Sequence, residues 1–155
     1  MNIPGHIVPY WRRFIESQAE DPTARFLEAF HFSDSEQSAN ELARLVLAGT
    51  KRATAGLLWS FEAVAERLPK VPDLSVVTNW AKEPLCVIET QRVEIVAFDQ
   101  VSEEFAATEG EGDGSLAYWR QAHWSFFGRE CQRIGRQPDP GMPVVCEWFR
   151  VLFRG

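Results

Sequence analysis

Residues 74–98 read LSVVTNWAKEPLCVIETQRVEIVAF. Residues 74–78 are a β-branched run, NWAKEP has the composition of a turn, and residues 85–98 are rich in Val and Ile. β-Branched side chains pack well on a pleated surface, so this stretch predicts two strands with a loop between them, as in a hairpin. The second run is long for one flat strand, and a bend or bulge is expected near Thr90 to Arg92.

Upstream of this stretch the chain reads as helical. Val8, Trp11, Phe14 and Ile15 share one helical face. DPTARFLEAF, residues 21–30, places Asp21 at an N-cap and Pro22 at the first helical position. Residues 33–49, SDSEQSANELARLVLAG, offer two capping boxes, Ser33 with Glu36 and Ser38 with Glu41. Leu42, Leu45 and Val46 follow as an apolar stripe, and Gly49 sits where a helix ends. Residues 1–35 are read as an N-terminal helical extension and residues 36–155 as the domain.

Downstream comes a polar loop, TEGEGDGS, residues 108–115. Leu116, Trp119, His123 and Phe126/Phe127 then recur at helical spacing, with Asp113 or Ser115 as the cap. RQPDPGMP is a turn cluster, and VVCEWFRVLF, residues 144–153, alternates as a final strand. Helices first, then strands, with one helix before the last strand, indicate an α+β domain built on a small curved mixed sheet or barrel.

The bulk properties narrow the function classes. The 155 residues carry a formal charge of −6. That opposes a non-specific grip on nucleic acid, which needs many Lys/Arg–phosphate contacts, but leaves room for a local basic pocket. Three widely spaced cysteines without a CxxC speak against a disulfide framework or a zinc site. No run approaches the roughly 18 apolar residues of a membrane span. The N-terminus lacks the pattern of a signal peptide, so a cytoplasmic protein is expected.

Three segments could carry chemistry. In LVLAGTKRATAGLLW, residues 45–59, Lys51 and Thr54 fall at a helix–strand junction where both could meet on one side. A lysine near a hydroxyl lowers the cost of an alkoxide or holds an anion; the plainer reading is a solvated lysine suiting a helix C-terminus. In residues 108–115, Glu109, Glu111 and Asp113 alternate with glycines, so a carboxylate could act as a base or hold a cation. The plainer reading is a flexible solvated loop. In YWRQAHW, Tyr118, Trp119, Arg120, His123 and Trp124 offer stacking faces and donors of the kind a nucleobase pocket uses, though such a stripe is more often core. By periodicity, Trp119 belongs to the core and Tyr118 or Arg120 looks toward a cleft. No serine–histidine–aspartate order, phosphate loop or dinucleotide fingerprint occurs.

Taken in order, AGTKRATAGLLW, LSVV, PLCVIETQRVEIVAFDQV, EGEGDGSLAYWRQAHWSFF and PVVCEWFRVLF resemble the ASCH family of the PUA-like superfamily, in its longer bacterial branch. The resemblance covers roughly residues 40–153. It implies a PUA-like small β-barrel of mixed strands with flanking helices, and a cleft faced by the GxKxxT segment and the acidic loop. The family is linked to RNA recognition. Its small bacterial members hydrolyse the acetyl amide of N(4)-acetylcytidine with a lysine, a threonine and a glutamate, and other members are described as ribonucleases. By resemblance the lysine is Lys51, the threonine is Thr54, and the glutamate is Glu109 with Glu111 close behind. Pro72 and the bulky NWAKEP turn depart from the family pattern, and the acidic loop is longer than in the small amidohydrolases.

The resulting expectation is an amidohydrolase for an acylated pyrimidine nucleoside. Thr54 is the nucleophile, Lys51 takes its proton or steadies the oxyanion, and Glu109 or Glu111 carries the proton to the leaving amine. It requires no metal or other cofactor. The alternative is an RNA-binding module without turnover, with Lys51, Arg52 and Arg120 on phosphates and aromatics such as Tyr118 on bases; a ribonuclease lies between the two. The partner is a nucleoside-like small molecule or short RNA, with no membrane and no obligate protein partner.

Overall fold

The structure, a computed structural model, describes residues 3–155. Along the chain the elements are α1 (Val8–Glu16), β1 (Phe26–Phe30), α2 (Glu36–Leu47), β2 (Ala53–Leu57), α3 (Leu58–Ala63), β3 (Leu74–Thr78), β4 (Pro84–Ala97), α4 (Glu103–Glu109), α5 (Leu116–Ile134) and β5 (Pro143–Phe153). Short 3-10 turns occupy Thr23–Arg25 and Phe98–Gln100.

β3 and β4 form the antiparallel pair expected from residues 74–98, with Val76 opposite Val87. β4 then runs antiparallel to β5 along most of its length. The register slips between Thr90 and Arg92, so Gln91 has no partner across the ladder. This is the bulge foreseen in the long Val/Ile run. Every residue of β3 is buried. Leu74 and Val76 pack with Tyr10, Trp11 and Phe14 of α1, while Val77 packs with Ala43 and Val46 of α2. A strand covered on both faces has no reason to alternate, which accounts for its continuous apolar pattern.

The sheet order is β1-β3-β4-β5-β2. β1 is parallel to β3, and β2 is antiparallel to β5. β1 and β2 therefore remain edges, and the sheet is not closed. The expected barrel is corrected to an open five-stranded mixed sheet. Closure needs the two edge strands to pair. Instead α2 packs over Val77, Cys86, Ile88 and Phe149 on one face of the sheet.

Residues 21–30 also differ from expectation. They form a 3-10 turn and β1 instead of a helix. The start signal at Asp21–Pro22 is local, whereas β1 is held by pairing with β3, Phe26 lying opposite Leu74. Residues 1 and 2 of the expected helical extension lie outside the described residues. α1 itself is present and docks Trp11 into the core, with its indole N–H donating to Thr23 at 2.9 Å. α2 starts from Ser35, whose hydroxyl accepts from the Ser38 amide, instead of from either expected capping box. α4 was not foreseen. On the other side of the sheet, α4 and α5 cover Ala53, Leu57, Val144 and Cys146.

Candidate functional site

Lys51 is placed by the end of α2. Gly49, at φ +80°, stops the helix. Its N–H donates to Val46, and the N–H groups of Thr50 and Lys51 both donate to Leu45. This doubly bonded terminus requires a positive φ, which glycine adopts without a Cβ penalty. It fixes the backbone that carries Lys51. The next residue, Arg52, donates its N–H to Thr108 and accepts at its carbonyl from Phe149. Those bonds tie the start of β2 to the end of α4, bringing Lys51 against Glu109.

The acidic segment is only partly the solvated loop expected of it. Glu109 closes α4 and is 1% exposed, so the reading of it as part of a flexible solvated loop is corrected. Gly110, at φ +65°, ends α4, and a Cβ there would lie 2.4 Å from the Thr50 carbonyl oxygen. The chain turns and presents Glu111, whose side chain is 14% exposed. The Gly114 N–H closes a turn on Glu111, Asp113 accepts from the Ser115 amide, and Ser115 caps α5 by accepting from Tyr118.

The result is a buried charge cluster. The Lys51 ammonium donates to the Ala53 carbonyl at 2.7 Å, to Glu109 Oε2 at 2.6 Å and to Glu111 Oε2 at 3.0 Å. All three of its protons are thereby engaged, and none goes to Thr54. The Phe32 ring lies 5.1 Å from the same ammonium. Glu109 Oε1 accepts from the Trp119 indole N–H at 2.8 Å and lies 3.3 Å from His123 Nε2. His123 stacks on Trp119 at 4.2 Å, and its Nδ1 lies 2.9 Å from the Trp119 carbonyl. A carbonyl only accepts, so Nδ1 carries a proton. Nε2 faces a carboxylate, so a proton there completes an imidazolium–carboxylate pair.

The titration behaviour follows from this geometry. Burial disfavours the Lys51 charge, but Glu109 and Glu111 outweigh it and raise its pKa. Burial likewise opposes ionisation of Glu109, yet Lys51 and His123 hold its pKa well below the ordinary range. Glu111 goes the other way. Burial and the neighbouring Glu109 push its pKa up to about 7 against the pull of Lys51. For His123 burial favours the neutral ring, and Glu109 overrides it to raise the pKa. Two carboxylates side by side thus take different states: one is fixed as an anion, and the other exchanges a proton near neutrality.

The cluster opens into a cleft of about 300 Å³. α2, β2, the α4–α5 loop and α5 contribute to it, and Phe32, Tyr118 and Phe126 are among its walls. Thr54 also lines it. Opposite Thr54 in the β2–β5 register is Glu147, which accepts from the Thr90 hydroxyl at 2.7 Å. Arg129 stands at the cleft and forms an ion pair with Asp34 at 2.8 Å. A cation could also engage Glu109, Glu111 and His123, since one ligand atom from each lies within 4.8 Å of the others. It would compete with the Lys51 ammonium for the same two carboxylates.

The structure brings Lys51, Thr54, Glu109, Glu111 and Tyr118 to one cleft. Arg52 is not part of it and lines a separate pocket with Arg150 and Arg154. Arg120 is exposed on α5 and outside both. Trp119 is core, 1% exposed, and also donates into the cluster. His123, weighed as a structural residue, faces Glu109 directly; its spacing of four residues from Trp119 was the available signal. Glu147 and Arg129 carry no local signal. Cys86 and Cys146 are buried, and burial raises both thiols to about 12, which makes them inert as nucleophiles.

Comparison with known proteins agrees with this architecture. The model of the ASCH domain matches residues 28–153. The chain belongs to the ASCH domain family. An ASCH domain from Lactobacillus crispatus JV V101 superposes with a TM-score of 0.92 at 37% identity, over 99% of this chain and 98% of that one. A protein from Enterococcus faecalis V583 superposes with a TM-score of 0.88 at 31% identity, over 96% and 89% of the two chains. No curated protein matches this ASCH chain. Among its described residues, no helix is long and apolar enough to cross a membrane.

Proposed function

We propose that the cleft binds a nucleobase-like ligand and hydrolyses an amide on it, as in an acylated pyrimidine nucleoside such as N(4)-acetylcytidine. The observation that carries this reading is the Glu111 carboxyl. It titrates near 7 beside a Glu109 that is ionised at that pH, in a cleft that also holds a hydroxyl, Thr54. A group that exchanges protons at the working pH is what a poor leaving group such as an amine requires.

In this scheme Lys51 does not take a proton from Thr54, because its ammonium is fully engaged and its pKa is raised. Lys51 instead holds the two carboxylates together. The Thr54 hydroxyl adds to the carbonyl carbon as ionised Glu111 accepts its proton. Glu111 then returns the proton to the amine nitrogen as the C–N bond breaks. Water releases the acyl group from Thr54 as the carboxylic acid and restores the hydroxyl. Tyr118, Phe126 and Phe32 supply apolar walls for a planar base. A cavity of about 300 Å³ is at the lower end of small-molecule pockets and suits one nucleoside.

The rival reading is RNA binding without turnover, or strand cleavage. It would use Lys51, Arg52 and Arg120 as phosphate contacts; Lys51 lines the cleft with all three of its protons already engaged, and Arg52 and Arg120 do not line it. Incubation of the protein with N(4)-acetylcytidine, followed by chromatography for cytidine, tests the proposal. Product should appear, and both Thr54→Ala and Glu111→Gln should remove it. No product, together with salt-sensitive retention or cleavage of labelled RNA, would replace this reading with the rival.

A further inference from the structure

A second pocket, about 280 Å³, shares only Lys51 with the cleft. Its charged lining is otherwise arginine: Arg52, Arg150 and Arg154. No carboxylate lines it, although the chain carries 22 acidic residues against 16 basic ones. Among the described residues the Arg52 side chain has no hydrogen bond or ion pair. Arg150 uses Nε on Glu89 at 3.0 Å, and Arg154 uses Nε on the Leu47 carbonyl at 3.3 Å. The terminal guanidinium nitrogens of all three therefore remain available. Arg150 is offset by Glu89, and Lys51 by Glu109 and Glu111, whereas among the described residues the exposed Arg52 and Arg154 face the pocket's other like charges with no carboxylate partner.

The bulge in β4 supplies an independent observation. Gln91 is the residue left without a ladder partner, and its place in the lining is beside these arginines. A bulge re-aims a side chain at the expense of sheet pairing, and bulges recur next to binding sites. Here it adds a neutral amide donor to three guanidinium forks. Trp148 forms part of the same wall, with the Arg92 guanidinium 4.5 Å from its ring.

We propose that this pocket is an anion site for a phosphate group, carried by a nucleotide or by a nucleic-acid strand. Guanidinium forks bind phosphate oxygens in pairs, with charge-assisted hydrogen bonds. A phosphate would neutralise the arginines and accept from Gln91. The site is distinct from the hydrolytic cleft and does not depend on the reading given to that cleft.

Thermal melting and calorimetric titration with inorganic phosphate, a nucleoside monophosphate and a short single-stranded oligoribonucleotide test it, with chloride at matched ionic strength as control. The expected result is saturable binding that chloride does not reproduce. Arg52→Ala, which removes no side-chain bond, should weaken it at least tenfold, and Arg154→Ala should do the same. Glu111→Gln should bind as the wild type does. Tighter binding of the oligonucleotide than of phosphate names a strand as the source; equal binding names a single phosphate group. The proposal is overturned if chloride gives the same shift, if both arginine variants bind normally, or if Glu111→Gln removes binding and so moves the phosphate into the cleft.

Discussion

Replacing Glu111 with Gln should stabilise this protein above neutral pH, even though it removes a proposed reacting group. In the folded chain burial and Glu109 raise the Glu111 pKa from 4.5 to about 7. Between those values the folded form keeps a proton that the unfolded form has lost. Stability contributed by this group therefore falls as pH rises from 4.5 to about 7, and the whole cost stands above that. At about 1.4 kcal/mol per unit the cost is about 3 kcal/mol. Glutamine resembles the protonated acid, and its carbonyl can still accept from the Lys51 ammonium. For a domain of this size, a gain of that order should raise the melting temperature by roughly 6–12 °C. Melting curves of both proteins across the pH range measure the difference directly. It should be small in mild acid, grow through neutrality and level off in alkali. A difference that stays flat with pH, or a glutamine variant that is less stable at alkaline pH, would refute the reasoning.

Other changes in the cluster should act in the opposite direction. Lys51→Met leaves Glu109 buried, 1% exposed, without its nearer cation and with only His123 beside it, and should cost about 3–5 kcal/mol; an unaltered urea midpoint would contradict the pairing. Glu109 is held well below its ordinary pKa, so it contributes stability above about 4.5 that is lost as pH falls through the folded value. Glu109→Gln should lower stability at neutral pH and flatten the acid limb, read by melting at successively lower pH. Gly112 stands at φ +58°, and a Cβ there would lie 2.5 Å from the Tyr118 ring. Gly112→Ala should turn that ring out of the cleft and weaken nucleoside binding in a calorimetric titration, while the circular dichroism spectrum is kept.

The parts of this protein that were legible in its sequence are those whose causes are close together along the chain. The stop of α2 at Gly49, the β3–β4 pair and the Ser115 cap of α5 each depend on residues close along the chain, while the bulge before Arg92, legible as an over-long Val/Ile run, is completed by the distant β5. The lysine, threonine and acidic segment were also visible, as types of side chain at a spacing that resembles a family. Only the tertiary structure decided what those groups are. Asp21 and Pro22 give residues 21–30 a helix-like start signal, yet residues 26–30 form a strand because β3, far along the chain, offers a parallel partner. Both edges of the sheet stay unpaired with one another, so no barrel closes. Glu109 reads as one acid among glycines, but it is an anion locked between Lys51, Trp119 and His123, contributed by two other segments. Glu111, two residues on, differs in charge state because it shares that lysine with an acid already ionised. Composition sets which groups can carry charge. Burial and the charges that tertiary packing brings to within 3 Å or so set which of them do, because Coulomb energy and desolvation depend on distance in space and not along the chain.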